Sequence, residues 1–145
     1  MQKKGSDSPP SGDYVLDSYA LLAFFEAETG SDRVKNILEA AEAGKCRVNM
    51  CVVNLGEVVY ITERERGLQK AQEVIARIDE LPVTIGNADK VLTLAAAHLK
   101  TVCPISYADC FAAALAIQKG GILVTGDPEF RKVKPDCGLR VEWLV

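Results

Sequence analysis

The chain has 145 residues, 48% of them hydrophobic and 26% charged, with a formal net charge of −3. That length suffices for one ordinary domain with a real core. The negative balance argues against a broad electrostatic grip on nucleic acid, though not against a nuclease whose bound divalent ions offset the charge locally.

Residues 1–12 contain Lys, Gly, Ser, Asp and Pro without an apolar run. They read as a flexible leader ahead of a single domain over 13–145. Tyr14-Val15-Leu16-Asp17 is a strand ending in an acid, and the apolar run Tyr19 to Phe25 continues as a helix beginning at Ser18. Gly30 breaks that helix, and Ser31 is the expected cap of a second, with Val34, Ile37, Leu38 and Ala41 at helical spacing. A strand over Arg47 to Val52 follows. Asn54 is the expected cap of a third helix reaching Arg66. Leu68, Ala71, Val74, Ile75 and Ile78 mark a fourth. Pro82 to Ile85 is a short strand, and Asn87 opens a fifth helix with Val91, Leu94, Ala95 and His98 on one face. Ser106 caps a sixth helix that runs to about Gln118. Ile122 to Thr125 is a strand buried on both faces, and Leu139 to Trp143 is the last strand. Strand and helix alternate throughout, without an internal repeat, which predicts an α/β fold with a mostly parallel sheet covered by helices on both sides.

Four acids stand out by position. Asp17 and Asp127 close strands, Glu57 follows one, and Asp109 opens the alanine-rich sixth helix. The carboxyl ends of the strands form the ligand crevice of an open parallel sheet. Acids gathered there repel one another unless a cation intervenes, and oxygen-only ligands suit Mg²⁺ or Mn²⁺. Each acid also has a plainer reading. Glu57 and Asp109 sit at capping-box spacing from Asn54 and Ser106. Asp17 suits the positive end of a helix, and Asp127-Pro128 suits a turn. The five cysteines are odd in number and lack C-x-x-C spacing. They read as core residues of a reducing, cytoplasmic protein. No apolar stretch nears the roughly 18 residues that span a bilayer, so no membrane partner is expected.

Val15-Leu16-Asp17-Ser18-Tyr19-Ala20-Leu21-Leu22 resembles the opening motif of PIN-domain proteins. Asn54-Leu55-Gly56-Glu57-Val58 resembles their second acidic motif. The segment from Ile105 to Ala116, centred on Asp109, resembles the third, and Leu123 to Phe130, with Asp127, resembles the fourth. The order is the family's, and the length is similar to that of VapC-type toxins of toxin–antitoxin pairs. The resemblance implies a three-layer α/β/α sandwich and a Mg²⁺- or Mn²⁺-dependent endoribonuclease leaving 5′-phosphate and 3′-hydroxyl ends. It also implies a homodimer and a small antitoxin partner. On it, Asp17 and Asp109 are the principal metal ligands, with Asp127 and Glu57 completing the shell.

Ser18 and Thr125 have hydroxyls beside these acids, and Arg131, Lys132, Arg64 and Arg66 are candidate RNA contacts. Helix capping, strand packing and a solvated charged surface are their plainer readings. Val58, Val59, Ile61, Val74 and Ile78 supply apolar surface beyond one core's needs and are the candidate dimer face. Two other functions stay open at this point. One is a catalytically silent PIN-type domain that binds RNA or protein. The other is a phosphorylatable receiver-like domain, with Lys134 as its lysine.

Overall fold

The computed structural model describes residues 3–4 and 8–145. Its strands are β1 (Lys3–Lys4), β2 (Asp13–Leu16), β3 (Arg47–Cys51), β4 (Thr84–Gly86), β5 (Ile122–Thr125) and β6 (Arg140–Trp143). They form one sheet in the order β1-β6-β5-β2-β3-β4, and every neighbouring pair is parallel. Of the expected leader, residues 1, 2 and 5–7 lie outside the described residues, while Lys3–Lys4 form the short edge strand beside β6.

The helices are α1 (Ser18–Phe25), α2 (Ser31–Glu42), α3 (Val52–Arg66), α4 (Leu68–Glu80), α5 (Lys90–Val102) and α6 (Tyr107–Lys119). Strand side chains alternate between faces, and the alternation divides the core in two. Val15, Cys51, Leu123, Val141 and Trp143 face α5 and α6, which contribute Leu92, Ala96, Leu99 and the alanines of α6. Tyr14, Leu16, Val48, Met50 and Val124 face the other layer, where α1 to α4 contribute Leu21, Val34, Ile37, Val58, Val74 and Ile78. The result is the three-layer α/β/α sandwich expected from the resemblance. Arg33 of α2 pairs with Glu142 of β6 across 2.7 Å, both side chains being buried, and its Nη1 donates to the Ser8 carbonyl. No single helix among the described residues is long and apolar enough to cross a membrane.

Several local expectations need correcting. The N-cap of α2 is Gly30, at φ 90°, and Ser31 is already inside the helix. The turn needs a left-handed residue there, and a Cβ on Gly30 would stand 2.6 Å from that of Leu144. α3 begins at Val52, so Asn54 lies within its first turn and caps nothing. α5 begins at Lys90, capped by Asp89, whose carboxylate accepts the Leu92 N–H at 2.9 Å.

The buried stripe of α5 is Leu92, Ala96 and Leu99, whereas Val91 and Leu94 are 69% and 60% exposed. The helix carries two apolar stripes, and its packing on α6 selects the other one. Of the candidate dimer face, Val58, Val74 and Ile78 are sealed in the core of the α1–α4 layer, while Val59 and Ile61 are half-buried. Four cysteines are buried and Cys137 is half-buried, with its Sγ 3.9 Å from that of Cys103.

Candidate active site

β2 and β5 are neighbours although more than a hundred residues separate them in sequence, and each hands over to an acid at its carboxyl end. Asp17 ends β2 and caps α1, its Oδ1 accepting the Ala20 N–H at 2.9 Å. Asp127 follows β5 and caps a single 3₁₀ turn over Pro128–Lys132, its Oδ1 accepting the Glu129 N–H at 2.9 Å. Between them lies Thr125, which is fully buried. Its hydroxyl donates to Asp17 Oδ2 and accepts the Asp127 N–H at 3.0 Å. One hydroxyl therefore fixes both acids. The intervening Gly126 has no room for a side chain, since a Cβ there would collide with the Tyr19 ring and stand 2.7 Å from Val145.

The other two acids arrive on helices. Asp109 sits in the first turn of α6, its N–H held by the Ser106 hydroxyl at 3.1 Å. The capping reading of Ser106 is correct: its hydroxyl accepts the Asp109 N–H, and Ser106 also hydrogen-bonds the Asp109 carboxyl, favouring its ionised form. Glu57 is on α3, where Asn54 Nδ2 donates to its Oε1 at 3.1 Å. The same Nδ2 donates to the carbonyl of Ala108, the residue before Asp109. A single buried amide thus ties the two acid-bearing helices together. Asn54 was legible in sequence only as a cap, and nothing there signals the bridging role.

Burial pushes the Asp17 carboxyl up to about 8, against the hydrogen bonds from Thr125 and Ala20 that favour its ionised form, with repulsion from Asp109 and Asp127 adding to the rise. Burial likewise raises Asp109 to about 6, assisted by repulsion from Asp127 and Glu57. The acids therefore sense one another's charge. Glu57, Asp109 and Asp127 line one open cleft of about 730 Å³, with Ser18, Lys100 and Lys132 also on its walls. The donors are all oxygens, which fits a hard divalent ion in chemistry. Asn54 Oδ1, buried beside Glu57, has no hydrogen-bond partner among the described residues. Among those residues no three acids stand at metal-holding spacing.

The basic residues divide. Lys132 lines the cleft but pairs with Glu129 at 2.9 Å. Arg131 stacks on the Trp143 ring at 4.1 Å, Arg64 lies 5.5 Å from the Tyr60 ring centre, and Arg66 pairs with Glu26. None of these three is among the residues lining the acidic cleft. Lys134 lines a separate pocket with His98 and Cys137, so it is not placed as a receiver's lysine is, beside the acids.

The bridge through Thr125 makes a specific expectation. Thr125→Val leaves a buried carboxylate and a backbone N–H each short of a partner, so it should destabilise the fold by about 1–3 kcal/mol. Chemical denaturation measures this. Thr125→Ser, which keeps the hydroxyl, should recover most of the loss, and equal losses in both variants would assign the effect to packing.

Residues 14–135 match the family model for the PIN domain. No curated protein matches the chain by sequence. Solved structures share the fold at low identity. A VapBC2 complex from Rickettsia felis, bound to a DNA fragment from its promoter, aligns at 18% identity and a TM-score of 0.70, covering 90% of this chain and 97% of that one. A DNA-bound VapBC from Salmonella typhimurium aligns at 16% identity and a TM-score of 0.69 over the full length of both chains. VapC20 of Mycobacterium tuberculosis, a sarcin-ricin loop cleaving toxin, aligns at 18% identity and a TM-score of 0.61, covering 81% of this chain and 92% of that one. With the family's domain matched from the first core strand to the turn beyond the last acid, this chain belongs to the PIN-domain family.

Proposed function

We propose that the protein is a metal-dependent endoribonuclease and the toxin of a toxin–antitoxin pair. The observation that carries the reading is the convergence of Glu57, Asp109 and Asp127, remote in sequence, on one cleft, with the carboxyl of Asp17 buried beside them. Asp17, Asp109, Asp127 and Glu57 would hold Mg²⁺ or Mn²⁺. When bound, such an ion polarises a phosphate oxygen and brings a coordinated water toward ionisation near neutral pH. The chain itself supplies position. Thr125 orients Asp17 and Asp127 together, Ser106 sets the start of α6 beneath Asp109, and Asn54 restrains Glu57. Attack by water leaves a 5′-phosphate and a 3′-hydroxyl, and no side-chain nucleophile is needed. Ser18, on the cleft wall, would hydrogen-bond a phosphate or a water.

The VapBC complexes of similar fold support a small antitoxin as partner. Exposed Val91 and Leu94 on α5 are apolar surface that pairing with a second copy would cover. The test is cleavage of an end-labelled RNA pool by the purified chain with Mg²⁺ or Mn²⁺, with EDTA as control. Metal-dependent cutting is expected. A second reading is a PIN domain that binds RNA without cutting it, since no three acids among the described residues stand at metal-holding spacing. It predicts retention of RNA with no new ends under any metal.

A further inference from the structure

The acidic cleft has to admit a polyanion, and its walls show which residue receives it. Acids dominate the lining: Glu57, Asp109, Asp127 and Glu129. Of the two lysines there, Lys132 is neutralised by Glu129. Lys100, near the end of α5, forms no ion pair among the described residues. Its Nζ donates to the carbonyl of Ile105 at 2.7 Å. An ammonium has three donors, so two remain. Ile105 is itself buried, and Pro104, Ile105 and Ser106 line the same cleft just ahead of Asp109. The carbonyl therefore anchors the ammonium at the cleft wall and leaves its remaining donors open. The other cations named from sequence are engaged: Arg131 by Trp143, Arg64 by Tyr60 and Arg66 by Glu26.

We infer that Lys100 binds a backbone phosphate of the RNA strand lying in the acidic cleft, making it a substrate-binding residue for the reaction. The inference rests on the ribonuclease reading above. Lys100 is the cleft's unneutralised protein cation, so it supplies sequence-independent attraction where the surrounding charge opposes entry. A phosphate contact of this kind lowers affinity uniformly across sequences when removed and reduces the salt dependence of binding by about one counterion.

The experiment compares the full chain with Lys100→Gln and Lys100→Arg, using a labelled single-stranded RNA at several salt concentrations. Steady-state cleavage and fluorescence anisotropy are both read. Lys100→Gln should raise KM by about tenfold or more, the worth of a hydrogen bond to a charged group. It should leave kcat near wild type and lower the salt slope by about one. Lys100→Arg should restore both. A Lys100→Gln variant with wild-type KM and salt slope overturns the inference. So does a fall in kcat with an unchanged salt slope, which marks Lys100 as a strut for Ile105 alone. If the wild-type chain binds RNA without cutting it, the ribonuclease reading fails separately. The anisotropy salt slope of Lys100→Gln against wild type then decides Lys100 by the same criterion.

Discussion

Asp17→Asn and Asp109→Asn should each lower metal-dependent RNA cleavage by more than about 100-fold, the upper range for loss of a residue merely supporting a metal ligand. Both substitutions keep shape and remove charge. Asn can still accept the Ala20 N–H at position 17, and the backbone N–H of residue 109 still reaches the Ser106 hydroxyl. Circular dichroism and denaturation should therefore show a folded protein. Metal-free stability should rise, most for Asp17→Asn, because the buried carboxylate and its repulsion with Asp109 and Asp127 are gone. Wild-type rates in either variant would remove that acid from the chemistry. Unfolding of Asp17→Asn would reduce Asp17 to a helix cap.

Metal-free stability should fall as pH rises, the reverse of the usual acid lability of carboxylates. Asp17 and Asp109 have an ordinary value of 3.8 and native values of about 8 and about 6. Between these limits the native state binds more protons than the unfolded chain, so the free energy of unfolding declines with pH. Their contribution is fully present below about pH 4 and is lost as pH passes about 6 and then about 8. Asp13 acts in the opposite sense, since the hydrogen bond from Arg47 holds it below its ordinary value. That contribution is lost only in more acidic solution. Thermal melts from about pH 5 to about pH 8.5 in EDTA should thus show a falling Tm, and Asp17→Asn should flatten the curve.

Adding Mn²⁺ at about a hundredfold excess over its Kd should restore about 2.7 kcal/mol, on the order of 5–10 °C for a chain of this size. The gain should be largest at high pH, where no proton competes. A Tm that is flat with pH and indifferent to metal would show that the acids neither share a field nor hold an ion.

The sheet was legible because buried parallel strands are short apolar runs, and Ile122 to Thr125 and Tyr14 to Leu16 fit that pattern without competing patterns. The positions of Asp17 and Asp127 were legible because strand ends set them, whereas Glu57 and Asp109 ride on helices. What stayed hidden depended on packing across long separations. Asn54 looked like a cap since Asn favours that place, yet α3 starts two residues earlier and sends its amide to Ala108. The inward stripe of α5 was misread because Val91 and Leu94 are as apolar as Leu92 and Leu99, and only α6 decides between them. Lys100 gave no signal, because one lysine on a helix surface resembles any other until the loop after the helix folds back on it.

The neighbouring of β2 and β5 also governs timing. A chain emerging from the ribosome presents Asp17 early but has nothing beside β2 to complete that edge until residues 122–125 follow, so no fragment ending before them holds the assembled site. Emergence of residues 122–127 brings Thr125 and Asp127 to Asp17, and Val145 then packs beside Gly126. The site is thus assembled only after that segment has been made, and a product truncated before residue 122 lacks it.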